Sequence, residues 1–371
     1  MRTRICERLD FGVPIFAFTH CRDVVVEVTK AGGFGVLGAA TFSPEQLEAE
    51  LRWIDQHVPG RPYGVDVLIP GKYDRAAETS NESVLSLVPA QHKAFVTRLL
   101  DEAGLPPLPA EEQARVEDEL RLRERSVTPS GARALLEVAM RHPQVKLVVS
   151  ALNPAPAEMV AEFHRRGIMV GGMVGSPHHA KKHRDVGADL IIAQGSEAGG
   201  HTGSISTMVL VPQVVDAAGP EISVLAAGGI SRGSQLAAAL ALGAEGVWCG
   251  TIWLGTRESE LAPYEKQALF AARAEDAIQS RSMTGKPARL IRSRWTEAWL
   301  QPGAPDCLPP PLQNMVYREA RARIDRAQSR DFYSYPAGQV VGGMTEETSV
   351  REVMYRFQTE YAETMERLAG G

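Results

Sequence analysis

Short apolar runs alternate with longer amphipathic segments along most of the chain. The runs are Pro14 to Phe18, Phe34 to Leu37, Tyr63 to Leu68, Val145 to Val149, Ile168 to Val170, Leu190 to Ala193, Ile222 to Ala226 and Gly246 to Cys249. A nearly continuous apolar run of this length fits a strand covered on both faces. Each is followed by a segment of helical length. These start or span Arg22 to Ala31, Ser43 to about His57, Ser130 to Arg141, Pro156 to Gly167, His178 to Val186, Met208 to Ala218, Gly233 to Leu242 and Pro263 to Arg273. Ser43-Pro44-Glu45-Gln46 reads as a helix start, with Ser as N-cap, Pro at the first helical position and Gln three residues after the cap. Ser130 reads as the cap of its own helix.

Eight β units, each followed by a helix, predict an α/β fold of the (β/α)8 or TIM-barrel kind. An open doubly wound sheet is the alternative, but it seldom uses eight equivalent units. Two stretches break the rhythm. Residues Gly71 to Thr128 are rich in Glu, Arg and Ala and form an insertion too long for a plain loop. The alternating Glu and Arg of Glu111 to Arg125 suggest a solvated helix with i,i+4 pairs. The insertion reads as a lid, an oligomer contact or an inert excursion, and a homo-oligomer is left open. Residues 274–371 form a C-terminal extension, with helical Asn314 to Arg326, an aromatic and glycine-rich Phe332 to Gly343, and a last amphipathic helix. On a barrel spanning 1–273 it must pack outside or fold back over the mouth.

Composition narrows the function classes. Hydrophobic residues at 44% and charged residues at 23% are those of a soluble globular chain. The net charge of −5, with Lys and Arg interspersed among acids, gives no footprint for nucleic acid. No apolar run approaches the roughly 18 residues of a membrane helix. Met1 to Asp10 is charged and lacks the apolar centre of a signal peptide. Cys6, Cys21, Cys249 and Cys307 stand far apart, which suits reduced thiols in a cytoplasmic protein.

In such a barrel the functional groups sit at or after the C-terminal ends of the strands. That rule selects Asp66 near the end of the third strand, and Gln194, Glu197 and His201 after the sixth. It also selects Gly228-Gly229-Ile230-Ser231 after the seventh and Gly250-Thr251 after the eighth. The last two loops offer bare backbone donors and a hydroxyl, the chemistry of a phosphate site. His201 lies among glycines and is a candidate general acid/base. Glu197 reads as a loop-orienting group.

Three patterns are discounted. Gly33-Phe34-Gly35-Val36-Leu37-Gly38 follows a helix and runs into a strand, the reverse of a dinucleotide fingerprint. Gly229-Ile230-Ser231-Arg232-Gly233 matches a nucleophile elbow, but every histidine precedes Ser231, so a serine hydrolase fails on chain order. His179 and His183 lie one helical turn apart, but no acidic or cysteine partner is near and Lys181, Lys182 and Arg184 would repel a cation. That segment reads as a solvated helix face, and no metal is expected.

The stretch Gln194-Gly195-Ser196-Glu197-Ala198-Gly199-Gly200-His201-Thr202-Gly203 strongly resembles the signature of the nitronate monooxygenase family. Ala31-Gly32-Gly33-Phe34-Gly35, Ala227-Gly228-Gly229-Ile230, Gly250-Thr251 and the late Ala337-Gly338-Gln339 are similar to its other blocks, in the same order. The resemblance covers most of the chain except the insertion. It implies an FMN-dependent barrel enzyme. Gly228, Gly229, Gly250 and Thr251 would hold the FMN phosphate. Gln194, Gly199, Gly200 and Gln339 would line the flavin, and His201 would be the catalytic histidine. Further flavin contacts are expected at Ala17 and Asp66, where the chain departs from the family. Phe16-Ala17-Phe18-Thr19-His20-Cys21 stands in place of the usual Gln-Ala-Pro-Met-Ala, and Asp66 in place of a common Asn.

The expected activity is oxidation of an alkyl nitronate with O2 to a carbonyl compound and nitrite. The alternative keeps the fold and uses NAD(P)H to reduce a quinone or an enoyl thioester. A non-catalytic flavin- or phosphate-binding protein is a third reading. Loss of all turnover with retention of flavin in His201→Ala would exclude it.

Overall fold

Successive side chains of a strand point to opposite faces, and this alternation sorts the barrel into two layers. Phe16, Phe34, Val36, Leu147, Val149, Ile192 and Leu225 point inward and form one apolar plug with Phe11 and Trp248. Residues between them, such as Ile15, Ala17 and Val65, pack against the surrounding helices. The computed structural model describes residues 2–69, 87–116, 118 and 128–370. Its strands are β1 (Ile15–Thr19), β2 (Phe34–Gly38), β3 (Tyr63–Val67), β4 (Val145–Ser150), β5 (Met169–Val174), β6 (Leu190–Gln194), β7 (Ser223–Ala227) and β8 (Gly246–Cys249). They are parallel and pair in sequence order, and β8 returns to β1 through Ile15 and Val247 to close the barrel. The fold is the expected TIM barrel.

A short helix missed by the sequence pattern, α1 (Arg4–Arg8), plugs the lower end with Ile5 and Cys6. The outer layer comprises α2 (Arg22–Lys30), α3 (Pro44–His57), α5 (Pro129–Ala139), α6 (Ala157–Arg165), α7 (Pro177–Asp185), α8 (Thr207–Ala218) and α9 (Gly233–Ala241). Ser43 and Gln46 form the expected reciprocal cap on α3, with N–H···O distances of 3.2 and 2.8 Å. The cap of α5 is Thr128 rather than Ser130. Its Oγ1 accepts the Gly131 amide at 3.0 Å, and Pro129 takes the first helical position. The solvated reading of α7 also needs correction. His178 and His179 are exposed, but His183 is buried, its ring filling the space that Gly172 leaves on β5. Burial lowers its pKa to about 4.

The described part of the insertion carries α4 (Ala90–Glu102), which shares a core with the extension: Val96 and Leu100 pack with Trp295, Trp299, Tyr317 and Ile324. Much of the solvated helix expected over 111–125 lies outside the described residues. After β8 follow a 3-10 turn, Thr251–Gly255, and α10 (Pro263–Ala271). The extension contributes an antiparallel hairpin, β9 (Ala277–Ser280) with β10 (Ala288–Ile291), then α11 (Arg294–Ala298), α12 (Leu312–Arg326) and α13 (Val350–Leu368). The extension does both things a barrel permits. Helix α13 packs outside, with Val350, Val353, Met354 and Phe357 buried in the helix layer. The chain around Tyr335 to Val340 crosses the mouth. No described helix is long and apolar enough to cross a membrane.

Candidate active site

A cavity of about 300 Å³ opens where the strands end. His201, Asp66, Gln194, Gly199, Gly200, Gly228, Gly229, Gly250 and Thr251 all line it. Ala17 does not. Its methyl group faces the helix layer beside Val24 and Val28, and the next residue, Phe18, reaches the cavity instead. Gln339 is half-buried beside the cavity while its neighbours Gly338 and Val340 form the wall. Its amide donates to the Glu197 carbonyl at 3.0 Å.

The loops after β7 and β8 offer an anion a set of donors. Gly228 and Gly229 take φ of 94° and 71°, the region where a side chain is strained. A Cβ on Gly228 would lie 2.8 Å from the Gly195 carbonyl, so the two loops touch through bare backbone. Among the described residues, no backbone or side-chain acceptor takes the amides of Gly228, Gly229 and Gly250. Thr251 Oγ1 accepts the Gly338 amide at 2.8 Å and keeps its own proton to donate. The N-terminus of α9 is already occupied: Gly233 N–H donates to Glu360 at 2.9 Å and Ser231 N–H to Gln235 at 2.8 Å. The loop amides and the Thr251 hydroxyl therefore form the open cradle, and that donor set fits a phosphate monoester.

The glycine-rich loop after β6 is fixed by three contacts. At its start, Glu197 accepts the Thr207 amide at 3.0 Å and approaches the Thr207 hydroxyl at 2.9 Å, capping α8. In its middle, a Cβ on Gly199 would sit 2.8 Å from the Ala337 backbone, so the C-terminal segment lies directly on it. At its end, Gly200 and Arg289 of β10 exchange two backbone hydrogen bonds of 3.0 and 2.7 Å. The loop thereby joins the hairpin through an isolated antiparallel bridge.

That hairpin sets the histidine. His201 Nδ1 stands 2.9 Å from the Pro287 carbonyl, and the Thr284 hydroxyl stands 3.3 Å from Nε2. A carbonyl can only accept, so Nδ1 carries the proton and Nε2 presents a lone pair. Thr284, Pro287 and Arg289 were invisible to motif reading. Their only signal was a pair of four-residue runs around Gly285, too short for a periodic pattern to stand out.

The opposite wall is less conventional. Asp66 points into the barrel, is 3% exposed, and its Oδ2 has no hydrogen-bond partner. Burial pushes its carboxyl well above the usual range. His20 lies over Gly38, with Nδ1 2.9 Å from the Gly38 carbonyl. Cys21 and Cys249 also line the cavity, and burial raises both thiols. Among the described residues no cluster of His, Cys, Asp or Glu is placed to hold a metal.

The nitronate monooxygenase family profile matches residues 17–360. The chain belongs to the nitronate monooxygenase family. As a member it is a flavin-dependent oxidoreductase. A candidate monooxygenase of Mycobacterium tuberculosis is 46% identical over all of this chain and 99% of its own. A protein of Staphylococcus saprophyticus named a probable nitronate monooxygenase is 31% identical, covering 80% of each chain. Among solved structures, a nitroalkane oxidase from Streptomyces ansochromogenes superposes with a TM-score of 0.76 at 26% identity, over 98% of this chain and 99% of that one. A FabK variant from Thermotoga maritima gives 0.71 at 25% identity, over 100% and 99%.

Proposed function

We propose that this family member is an FMN-dependent nitronate monooxygenase that oxidises alkyl nitronates with O2 to a carbonyl compound and nitrite. The observation that carries the reading is the His201 imidazole, held by Pro287 and Thr284 on the wall of the same cavity as the anion cradle. In this reading Gly228, Gly229, Gly250 and Thr251 hold the FMN phosphate. Gln194, Gly199, Gly200 and the Gln339 segment lie against the ring, and Asp66 borders it. The flavin would supply electron transfer from the substrate and reactivity toward dioxygen.

The protein's own part is positioning and proton handling. His201 Nε2 takes the α-proton when the neutral nitroalkane enters. Once protonated, the same nitrogen donates to a nitronate oxygen. Tyr335, Pro336, Leu254 and Leu261 line the mouth with largely apolar surface, while His201 stays open to solvent at its rim. The reading is tested by nitrite release and oxygen uptake with propionate 3-nitronate and with alkyl nitronates. Flavin that stays oxidised with every nitronate would sink it.

A second reading, an NAD(P)H-dependent reductase of a quinone or enoyl thioester, draws on the likeness to FabK and on the changed wall at His20 and Asp66. Anaerobic bleaching of the flavin by NADH or NADPH would favour it.

A further inference from the structure

The proposed chemistry gives the Asp66 carboxyl no defined role, yet its surroundings constrain it strongly. Asp66 is an inward position of β3. Its register partners are Gly38 on β2 and Val149 on β4, and neither offers a polar side chain. The His20 ring occupies the room Gly38 leaves, with ring atoms 2.6 Å from where a Cβ would stand. Leu68, Ala151 and Met173 line the cavity nearby. Titratable groups facing the same space are His20 and Cys21 after β1, His201 after β6, Glu260 after β8, and Tyr335 from the extension, while the Cys249 thiol on β8 packs toward the helix layer. None of them forms a hydrogen bond with Asp66 Oδ2.

An ionised carboxylate without partners is strongly disfavoured in such a place, and the group avoids that penalty by holding its proton. A protonated carboxyl is a hydrogen-bond donor. Oδ2 is enclosed and unpartnered while the residue lines the cavity, so a carboxyl that turns its O–H toward the cavity finds its acceptor in the bound occupant.

We propose that Asp66 stands in the cavity as a neutral carboxylic acid and donates a hydrogen bond from its O–H to an oxygen of the bound occupant. The acceptor is a carbonyl oxygen of the flavin ring or an oxyanion of the substrate. No proton is transferred: the bond forms with the carboxyl intact. Deprotonation would replace the donor with a negative charge facing an electron-rich oxygen, so binding is linked to the proton on Asp66. The inference rests on the flavoenzyme reading for the identity of its acceptor and does not require that nitronates be the substrate.

Infrared difference spectra of wild type and Asp66→Asn at pH 7 test it. Wild type is expected to show a protonated-carboxyl C=O band that the variant lacks. A shift of that band when FMN is returned to stripped protein identifies the flavin as acceptor. A shift only when propionate, an unreactive carboxylate, is added to holoenzyme identifies the substrate oxyanion. An absent band, as an Asp66 carboxylate paired with a protonated His20 would give, overturns the proposal. So does a band that neither addition moves. The dissociation constant of the responding ligand supplies a second readout. In wild type it should rise about tenfold per pH unit once the carboxyl titrates. In Asp66→Asn, which keeps a donor that does not titrate, it should stay flat and within about threefold of the wild-type value at pH 7. A wild-type profile as flat as the variant's, or a variant weakened tenfold at pH 7, counts against it. No nitronate enters either experiment, so failure here and failure of the nitronate reading are separable.

Discussion

Arg289 donates from both Nε and Nη2 to the one carbonyl oxygen of Ser196, at 2.9 and 2.7 Å. Its backbone holds Gly200 four residues further on. The histidine loop is thus gripped at two points by a residue outside the barrel. A strand end alone leaves a glycine-rich loop many conformations, because glycine gives up more backbone freedom on ordering than any other residue. The hairpin removes that freedom.

Arg289→Met keeps the aliphatic stem and deletes the charged donors. Hydrogen bonds from a charged group are worth about 1.5–3 kcal/mol each, and partial exposure brings the expected loss to about 2 kcal/mol in all. Thermal unfolding reads that loss. A small displacement of His201 should cost more in turnover, on the order of 100-fold in kcat, with flavin content kept. An unchanged kcat would show that the hairpin does not set the histidine.

His201→Ala should retain flavin and lose about 10²–10⁴-fold in kcat, the usual span for a positioned acid/base group. Thr284→Val tests the hydroxyl beside Nε2. It should lower kcat by about tenfold with little change in Tm, since one net hydrogen bond is worth about 1 kcal/mol. Equal effects of the two substitutions would argue against proton handling by His201.

The barrel was legible because its strands are covered on both faces and so read as continuous apolar runs. The glycine loops were legible because the close approaches at Gly199 and Gly228 leave no room for a Cβ. What escaped was set by tertiary contact. The four-residue strands of the hairpin carry no periodicity, yet they supply Thr284, Pro287 and Arg289 to the site. The charges around His183 suggested solvent, but one face of α7 turns its ring into the space beside Gly172. Motif position points to Ala17, but strand alternation turns its methyl group away from the cavity.

His183 gives the fold a pH dependence of known sign. Its ordinary pKa of 6.5 falls to about 4 in the folded chain, chiefly through burial and then through the neighbouring His179. The unfolded chain therefore binds more protons between these values, and stability rises with pH across that window. The contribution is complete above pH 6.5 and is lost as pH falls to about 4, a loss of up to about 3 kcal/mol. Urea midpoints measured from pH 4 to 7 should show the slope, and His183→Gln should flatten it. A variant with an unchanged slope would assign the effect to other groups.

Gly233 is the last test, because propensity and packing predict opposite signs there. It opens α9, where Ala is preferred over Gly by about 1 kcal/mol in a helix interior and glycine has no positive-φ requirement to satisfy. Propensity alone makes Gly233→Ala neutral or stabilising. The C-terminal helix reverses that. A Cβ on Gly233 would overlap the Phe357 carbonyl and the Tyr361 amide of α13, both rigid backbone. Phe357 is fully buried, and Glu360 of the same helix accepts the Gly233 amide at 2.9 Å. To admit the methyl group, α13 must move, loosening Val353, Met354 and Phe357 from the helix layer. Each such side chain is worth about 1.5–3 kcal/mol when fully buried. Gly233→Ala should therefore destabilise by about 2–4 kcal/mol, the upper part of the range for single substitutions. Ser234→Ala, one position along, should stay within about 0.5 kcal/mol of wild type. Chemical denaturation of the two variants side by side decides it, and a stabilised Gly233→Ala would mean that α13 does not rest on α9 in solution.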